Sequence, residues 1–283
     1  MRLVRVAVGA AAAVVGLLPW LLTGMRLPLQ NLWRIEVGPE AMPVALLPFS
    51  QYSIVLIAAV ILVGSALAGL AVRIRREGVL GALIGVLVVQ IAALVQSAAT
   101  VAGGLVEGTA SAVYLGALVA GAAGSIVVGA LVLLLIARAP APGAAVGVSI
   151  AAIAAGSWLT TLLAALAASS AAGLAVLNAV QWLPGILAGL ALAWCGLTSV
   201  GRVLAWVASL VLLWIGPTLV TAVSSAAGSR ALAPYPLEML DYGWQVFTTA
   251  LLLPAVSLRT ALTALVVGAV GFVALAAVER RRA

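Results

Sequence analysis

Eight apolar stretches divide this chain, at about 3–23, 51–72, 79–103, 112–137, 146–168, 174–199, 203–225 and 257–279. Each is long enough to cross a bilayer, whose hydrocarbon core of about 30 Å takes roughly 20 residues of helix. A spanning segment has no water to satisfy its backbone, so it must be a helix or part of a closed barrel. Unbroken apolar runs of this length are helices. With 65% hydrophobic residues, 7% charged residues and a mean hydropathy of +1.30, nothing remains for a sizeable soluble domain. The sequence therefore predicts an all-α integral membrane protein, one polytopic membrane domain over 1–283 built as a bundle of about eight transmembrane helices. The first run follows Arg2 and Arg5 as a signal peptide would. No small-x-small cleavage site closes it, so it reads as a retained first span.

The charges orient the bundle. Cytoplasmic loops carry an excess of Lys and Arg. With the N-terminus inside, Arg2, Arg5, Arg73, Arg75, Arg76, Arg138, Arg202 and Arg280 to Arg282 fall on the inner side. Arg26, Arg34, Arg230 and Arg259 fall outside. Ten against four is a clear bias. Glu77 and Glu279 are the inner acids and the other five are outer, so +8 inside and −1 outside make up the net charge of +7. The expected topology is N-in, C-in, and no nucleic-acid partner is needed to explain the charge. All fourteen basic residues are Arg and none is Lys. Together with the Ala, Val, Gly and Leu excess, this points to a high-GC bacterium and its cytoplasmic (inner) membrane.

Much chemistry is excluded. There is no histidine, which removes Ser-His nucleophiles, His-ligated zinc and His-ligated haem. Cys195 stands alone in an apolar run and reads as a small core residue. The Gly-rich runs lie inside spans, and without Lys there is no P-loop. No cofactor and no metal is expected. Small residues recur every four positions at Gly81/Gly85, Gly121/Ser125/Gly129, Gly143/Gly147/Ala151/Ala155 and Gly185/Gly189, which lets membrane helices approach closely. The two four-helix halves show no sequence repeat: span three carries Gln90 where span seven carries Gly216-Pro217.

Two longer outer segments, 25–51 and 229–256, hold seven of the twelve prolines and many aromatics, and should be irregular with an aromatic belt. Within the second, Trp244, Phe247 and Leu251 share one face. Pro254 should separate an interfacial or re-entrant helix near 244–253 from span eight.

Candidate site residues are few, because no ionisable residue lies deep within a predicted span. Gln90 sits near the middle of span three with Ser97 on the same face, and Gln96 pairs with Thr100 on another; interhelical hydrogen bonds are the plain reading. Asn178 and Gln181 read as interfacial polar groups. In span seven, Pro217 removes a backbone donor and displaces the Leu213 carbonyl. Trp214, Thr218, Thr221 and Ser225 form one helical stripe beside that break. Hydroxyls can rebond freed carbonyls locally, or the stripe can border an outward-opening cavity floored by Trp214. In either case this face should turn away from lipid. In the first outer loop, Arg26, Arg34, Glu36 and Glu40 make a mixed-charge cluster in which a carboxylate could act as a base and Arg could hold a phosphate.

Three functions remain open: a permease-like protein handling a neutral, amphipathic or lipidic substrate beside span seven; a non-catalytic subunit of a larger transport or envelope-assembly complex; and, least favoured, an outer-leaflet transferase. The expected partners are the lipid bilayer and either other membrane subunits or further copies of this chain. The first reading predicts that Thr218→Val with Thr221→Val abolishes transport without unfolding the protein; unchanged flux would count against it.

Overall fold

A computed structural model describes residues 2–35, 38–75, 78–167, 170–232 and 235–282. The described residues form ten α-helices and two short 3-10 turns, with two isolated β-bridges and no strand. The helices are α1 (Arg2–Leu22), α2 (Ile54–Arg75), α3 (Val79–Gly104), α4 (Thr109–Arg138), α5 (Ala141–Ala167), α6 (Ala171–Val180), α7 (Leu183–Cys195), α8 (Val200–Gly228), α9 (Pro236–Leu252) and α10 (Pro254–Arg282). Eight segments are long and apolar enough to cross a membrane, α6 and α7 together making the sixth. This is a multi-pass membrane protein. Eight crossings return the chain to the side on which it starts, here called proximal; the other side is distal.

The spans match the apolar runs, but several begin earlier. Pro142 and Pro254 look like loop markers, yet each lies in the first turn of its helix, where a missing N–H costs no intrahelical bond. The sixth span turns at Gln181-Trp182. Pro184 cannot donate to the Val180 carbonyl four residues earlier, so the helix breaks there and restarts as α7. Pro254 starts α10 directly after Leu253, separating it from α9 as expected, though α9 begins at Pro236 rather than near 244.

Small residues fix the helix crossings. A Cβ at Gly85 would collide with the Val6 carbonyl oxygen, and one at Gly9 with the Ala82 carbonyl, so α1 and α3 run backbone to backbone. Gly129 lies against Ser65, Gly147 against Leu135, and Gly185 against the Thr260 backbone, so each small-residue stripe contributes to a crossing. Helices α1–α4 form one set, and α5, the α6/α7 span, α8 and α10 form another. Both sets pair second with fourth, first with third and first with second, while among the described residues the first and fourth make no extended contact. In both, the second and fourth helices run parallel. Ile54 lies by Gly121 and Arg73 by Ile136 in the first set, Gly185 by Thr263 and Gly189 by Val267 in the second. The packing is duplicated although the sequence pattern is not.

Two tryptophans and an arginine join the sets. Trp158 Nε1 on α5 donates to the Gly16 carbonyl (2.6 Å). Arg73 Nη1 donates to the Ile136 and Ala139 carbonyls (2.7 and 3.0 Å) at the end of α4, and its guanidinium lies 4.8 Å from the Trp194 ring on α7. These last carbonyls have no helical partner of their own.

The segment between α1 and α2 is irregular, as its prolines require, but it is not a surface loop. Leu27, Met42, Ala45, Leu47 and Phe49 are buried in the core of the first set. Side chains take up its backbone. Gln96 Oε1 accepts from Leu46 N–H and Ser97 Oγ from Leu47 N–H (both 2.8 Å). Gln96 Nε2 donates to the Val44 carbonyl (3.1 Å), and Trp20 Nε1 to that of Ala45 (2.8 Å). Ser97 is seven residues from the end of α3, so the segment descends about 10 Å into the bundle. Irregular backbone survives at that depth only when protein replaces water.

Ser97→Ala and Gln96→Leu should each destabilise the protein by about 1–3 kcal/mol, the cost of a buried donor left unpaired. Ser125→Ala should change little, since Ser125 Oγ only returns to Gly121 O of its own helix. Thermal unfolding in mild detergent, read by tryptophan fluorescence, checks the difference.

Candidate functional site: a cavity between two proline-marked helices

The break in the sixth span and Pro217 in α8 face each other. Between them lies a cavity of about 330 Å³, walled by α5, the α6/α7 junction, α8 and α10. Pro184 and Pro217 both contribute. Where a proline removes a donor, neighbouring helices cannot close on a regular backbone surface, and polar groups or an open space take up the mismatch. Ser157, Thr160 and Thr161, at i, i+3 and i+4 on α5, supply a hydroxyl-bearing wall. Gln181, Arg259 and Thr260 supply the rest of the polar lining; Ile153, Val180 and Val220 are apolar.

The cavity lies at membrane depth. Thr160 is about 10 Å below the distal end of α5, and Pro217 about 16 Å below that of α8. Thr160 and Gln181 are exposed, so the cavity opens sideways at the distal half of the bundle.

Arg259 is the one ionisable group in the described lining. The apolar run alone starts span eight near 257, which leaves Arg259 at the boundary. The helix starts at Pro254, and Arg259 falls in its second turn, about 8 Å below the distal end. Arg259 is therefore inside the helix near its distal end, and not deep within the span. Arg259 Nη1 donates to Gln181 Oε1 (2.5 Å), and the guanidinium carbon lies 5.9 Å from the Trp182 ring. Its Nε is buried without a partner.

The residues singled out in the sequence fall elsewhere. Thr218 is buried and its Oγ1 donates to the Ile215 carbonyl (2.6 Å); Thr221 Oγ1 donates to the Pro217 carbonyl (2.9 Å). Both bonds are local, but they go to Ile215 and Pro217 and not to the Leu213 carbonyl that Pro217 displaces, and α8 runs unbroken through Pro217. The stripe is not one inward face. Trp214 is 37% exposed, Thr221 is exposed and Ser225 is half-buried. The cavity meets α8 on the neighbouring face, through Pro217 and Val220. Gln90 is buried between α3 and α2, donating to Ile61 O (2.9 Å) and Ser65 Oγ (3.1 Å).

In the first long loop, Arg26 Nη1 donates to the Met42 carbonyl (2.9 Å) and Arg34 Nη2 to the Leu105 carbonyl (3.3 Å), so both bind backbone. Glu40 is exposed in a 3-10 turn, and Glu36 lies outside the described residues. No group of His, Cys, Asp or Glu able to hold a metal occurs among the described residues.

Sequence reasoning missed Ser157, Thr160, Thr161 and Arg259 as site residues. The signal was present as a hydroxyl face on an otherwise apolar helix, with two prolines on separate spans. Only packing shows that these meet. No protein-family model matches the sequence, and no curated protein or solved structure was found to resemble it.

The geometry predicts that Thr160→Cys, in a Cys195→Ala background, reacts with a small water-soluble thiol reagent in the folded protein. Ser65→Cys, fully buried between α2 and α4, should react only after unfolding. Equal protection of both sites would show that the cavity is closed.

Proposed function

We propose that this chain is a permease-like membrane protein that takes an amphipathic or lipidic substrate into the cavity between α5, the α6/α7 junction, α8 and α10. The observation that carries the reading is a cavity at membrane depth, formed where a broken span meets a proline-bearing one and opening sideways in the distal half. Transport sites in membrane bundles favour interrupted helices, because freed backbone groups and hydroxyls can serve a ligand there. A volume of about 330 Å³ suits a headgroup-sized moiety. A tail can extend through the lateral opening into lipid. In the N-in, C-in orientation favoured by the arginines, the cavity belongs to the outer leaflet.

Helix α9 supports the same reading. Leu237, Leu240 and Trp244 are exposed along one stripe, while Glu238, Asp241 and Gln245 lie on the adjoining face. A helix with that division lies in the membrane interface, its apolar side in lipid and its polar side in water. It packs on α8 and is joined through Leu253 to α10, which carries Arg259 in its second turn.

Proteoliposomes carrying a fluorescent short-chain phospholipid and a membrane-impermeant quencher test the proposal. The wild type should move the probe between leaflets faster than protein-free vesicles do. Thr160→Phe, which fills the cavity, should slow that movement by about tenfold, a barrier change near 1.4 kcal/mol. Ser125→Ala should leave it unchanged. A wild-type rate equal to that of empty vesicles would sink the lipid-permease reading.

A further inference from the structure

We propose that the Nε/Nη2 edge of Arg259 is an oxyanion site, holding the phosphate or carboxylate of an amphipathic ligand seated in the cavity. The proposal rests on the cavity being the substrate site and adds the chemistry of the substrate's head. A guanidinium offers five N–H donors in a planar fork, and the edge formed by Nε and one terminal nitrogen matches the spacing of two carboxylate or phosphate oxygens. In Arg259, Nη1 is committed to Gln181 Oε1. That bond fixes the plane of the group and leaves the opposite edge free. Nε has no partner although it is buried, and a buried unpaired donor on a cation is costly enough to need an explanation.

Nothing in the described lining neutralises the charge. The cavity residues include no Asp or Glu. An arginine within a membrane bundle is normally paired with an acid or with carbonyls. Arg259 has one amide oxygen, that of Gln181, no acid, and an Nε left without a partner. Ser157, Thr160 and Thr260 line the same space and can donate to the remaining oxygens of a bound anion. The depth also fits. Helix α10 has 29 residues, about 43 Å, against a hydrocarbon core of about 30 Å. The excess is about 6 Å at each end, so Arg259, about 8 Å below the distal end, sits where hydrocarbon meets headgroups. A lipid phosphate reaches that level with its tails still in the bilayer. A neutral, amphipathic or lipidic substrate is the expectation from sequence; an oxyanion site at Arg259 keeps the amphipathic character and replaces the neutral head with an anionic one.

Thermal unfolding of the full chain in an uncharged detergent tests this with short-chain phosphatidate, decanoate, the matching neutral diacylglycerol and inorganic phosphate. The expected result is a rise in melting temperature with the anionic amphipaths that exceeds the effect of the neutral analogue. Arg259→Gln should weaken their apparent affinity by about tenfold or more, and Arg259→Lys, which keeps the charge but not the fork, by less. A shift with inorganic phosphate alone that also depends on Arg259 would support the oxyanion site and assign it to a free anion instead of a lipid. Equal shifts with neutral and anionic amphipaths would overturn the proposal, as would an anion effect that survives in Arg259→Gln. The ligand comparison in the wild type needs no variant, so it decides even if Arg259→Gln fails to fold. If the neutral analogue stabilises as well as the anions and Thr160→Phe removes the effect, the cavity reading stands and only the oxyanion site falls. No stabilisation by any amphipath would remove both.

Discussion

The structure depends on one constraint: every backbone N–H and C=O inside the bilayer needs a partner supplied by protein. Helices meet it by themselves, and most of this chain is helical for that reason. The informative places are those where the helix fails. The segment between α1 and α2 carries prolines and still descends into the bundle. It is tolerated because Gln96, Ser97 and Trp20 take the hydrogen bonds of Val44, Ala45, Leu46 and Leu47. These side chains are what allow an irregular segment to act as core, and Phe49 and Met42 then pack beneath the distal surface.

The same constraint shapes the second set of helices differently. There the irregularity is within a span, at Gln181-Trp182, opposite a Pro217 that α8 accommodates without a break, and among the described residues no segment fills the space between them. A cavity with a hydroxyl wall and a partly paired arginine results. The two sets pair the same helices but use that arrangement for different ends, the first filled by its own loop and the second left open. That contrast is the physical reason for placing function in the second set.

Small residues hold both sets together. Between lipid-immersed helices there is no hydrophobic driving force, so association depends on close backbone approach and on a few hydrogen bonds. The glycines of α1, α3 and α7 bring backbones nearly into contact, and Trp158 uses one such site to bond the bare Gly16 carbonyl across the junction between sets. Arg73 does similar work at the proximal side by capping α4 and stacking on Trp194.

The sequence by itself determined the class of fold. Apolar length fixed eight spans, Pro254 marked the boundary before the last one, and the four-residue spacing of small residues marked the helix contacts, because each of these is a local property of a chain in lipid. Gln90 as an interhelical bond and Thr218 as a local hydroxyl bond were equally legible, since both follow from helical geometry. The tertiary structure alone decided the rest. Nothing in the spacing shows that Pro184 and Pro217 meet at one cavity, that Ser157 and Thr160 line it together with Arg259, or that α3 reaches out to hold the first loop. The apolar run, 257–279, put Arg259 only at the edge of span eight, and the helix start at Pro254 moves it a turn further in. Sites made from separate spans depend on which faces meet, and in a sequence this uniformly apolar almost every face looks alike.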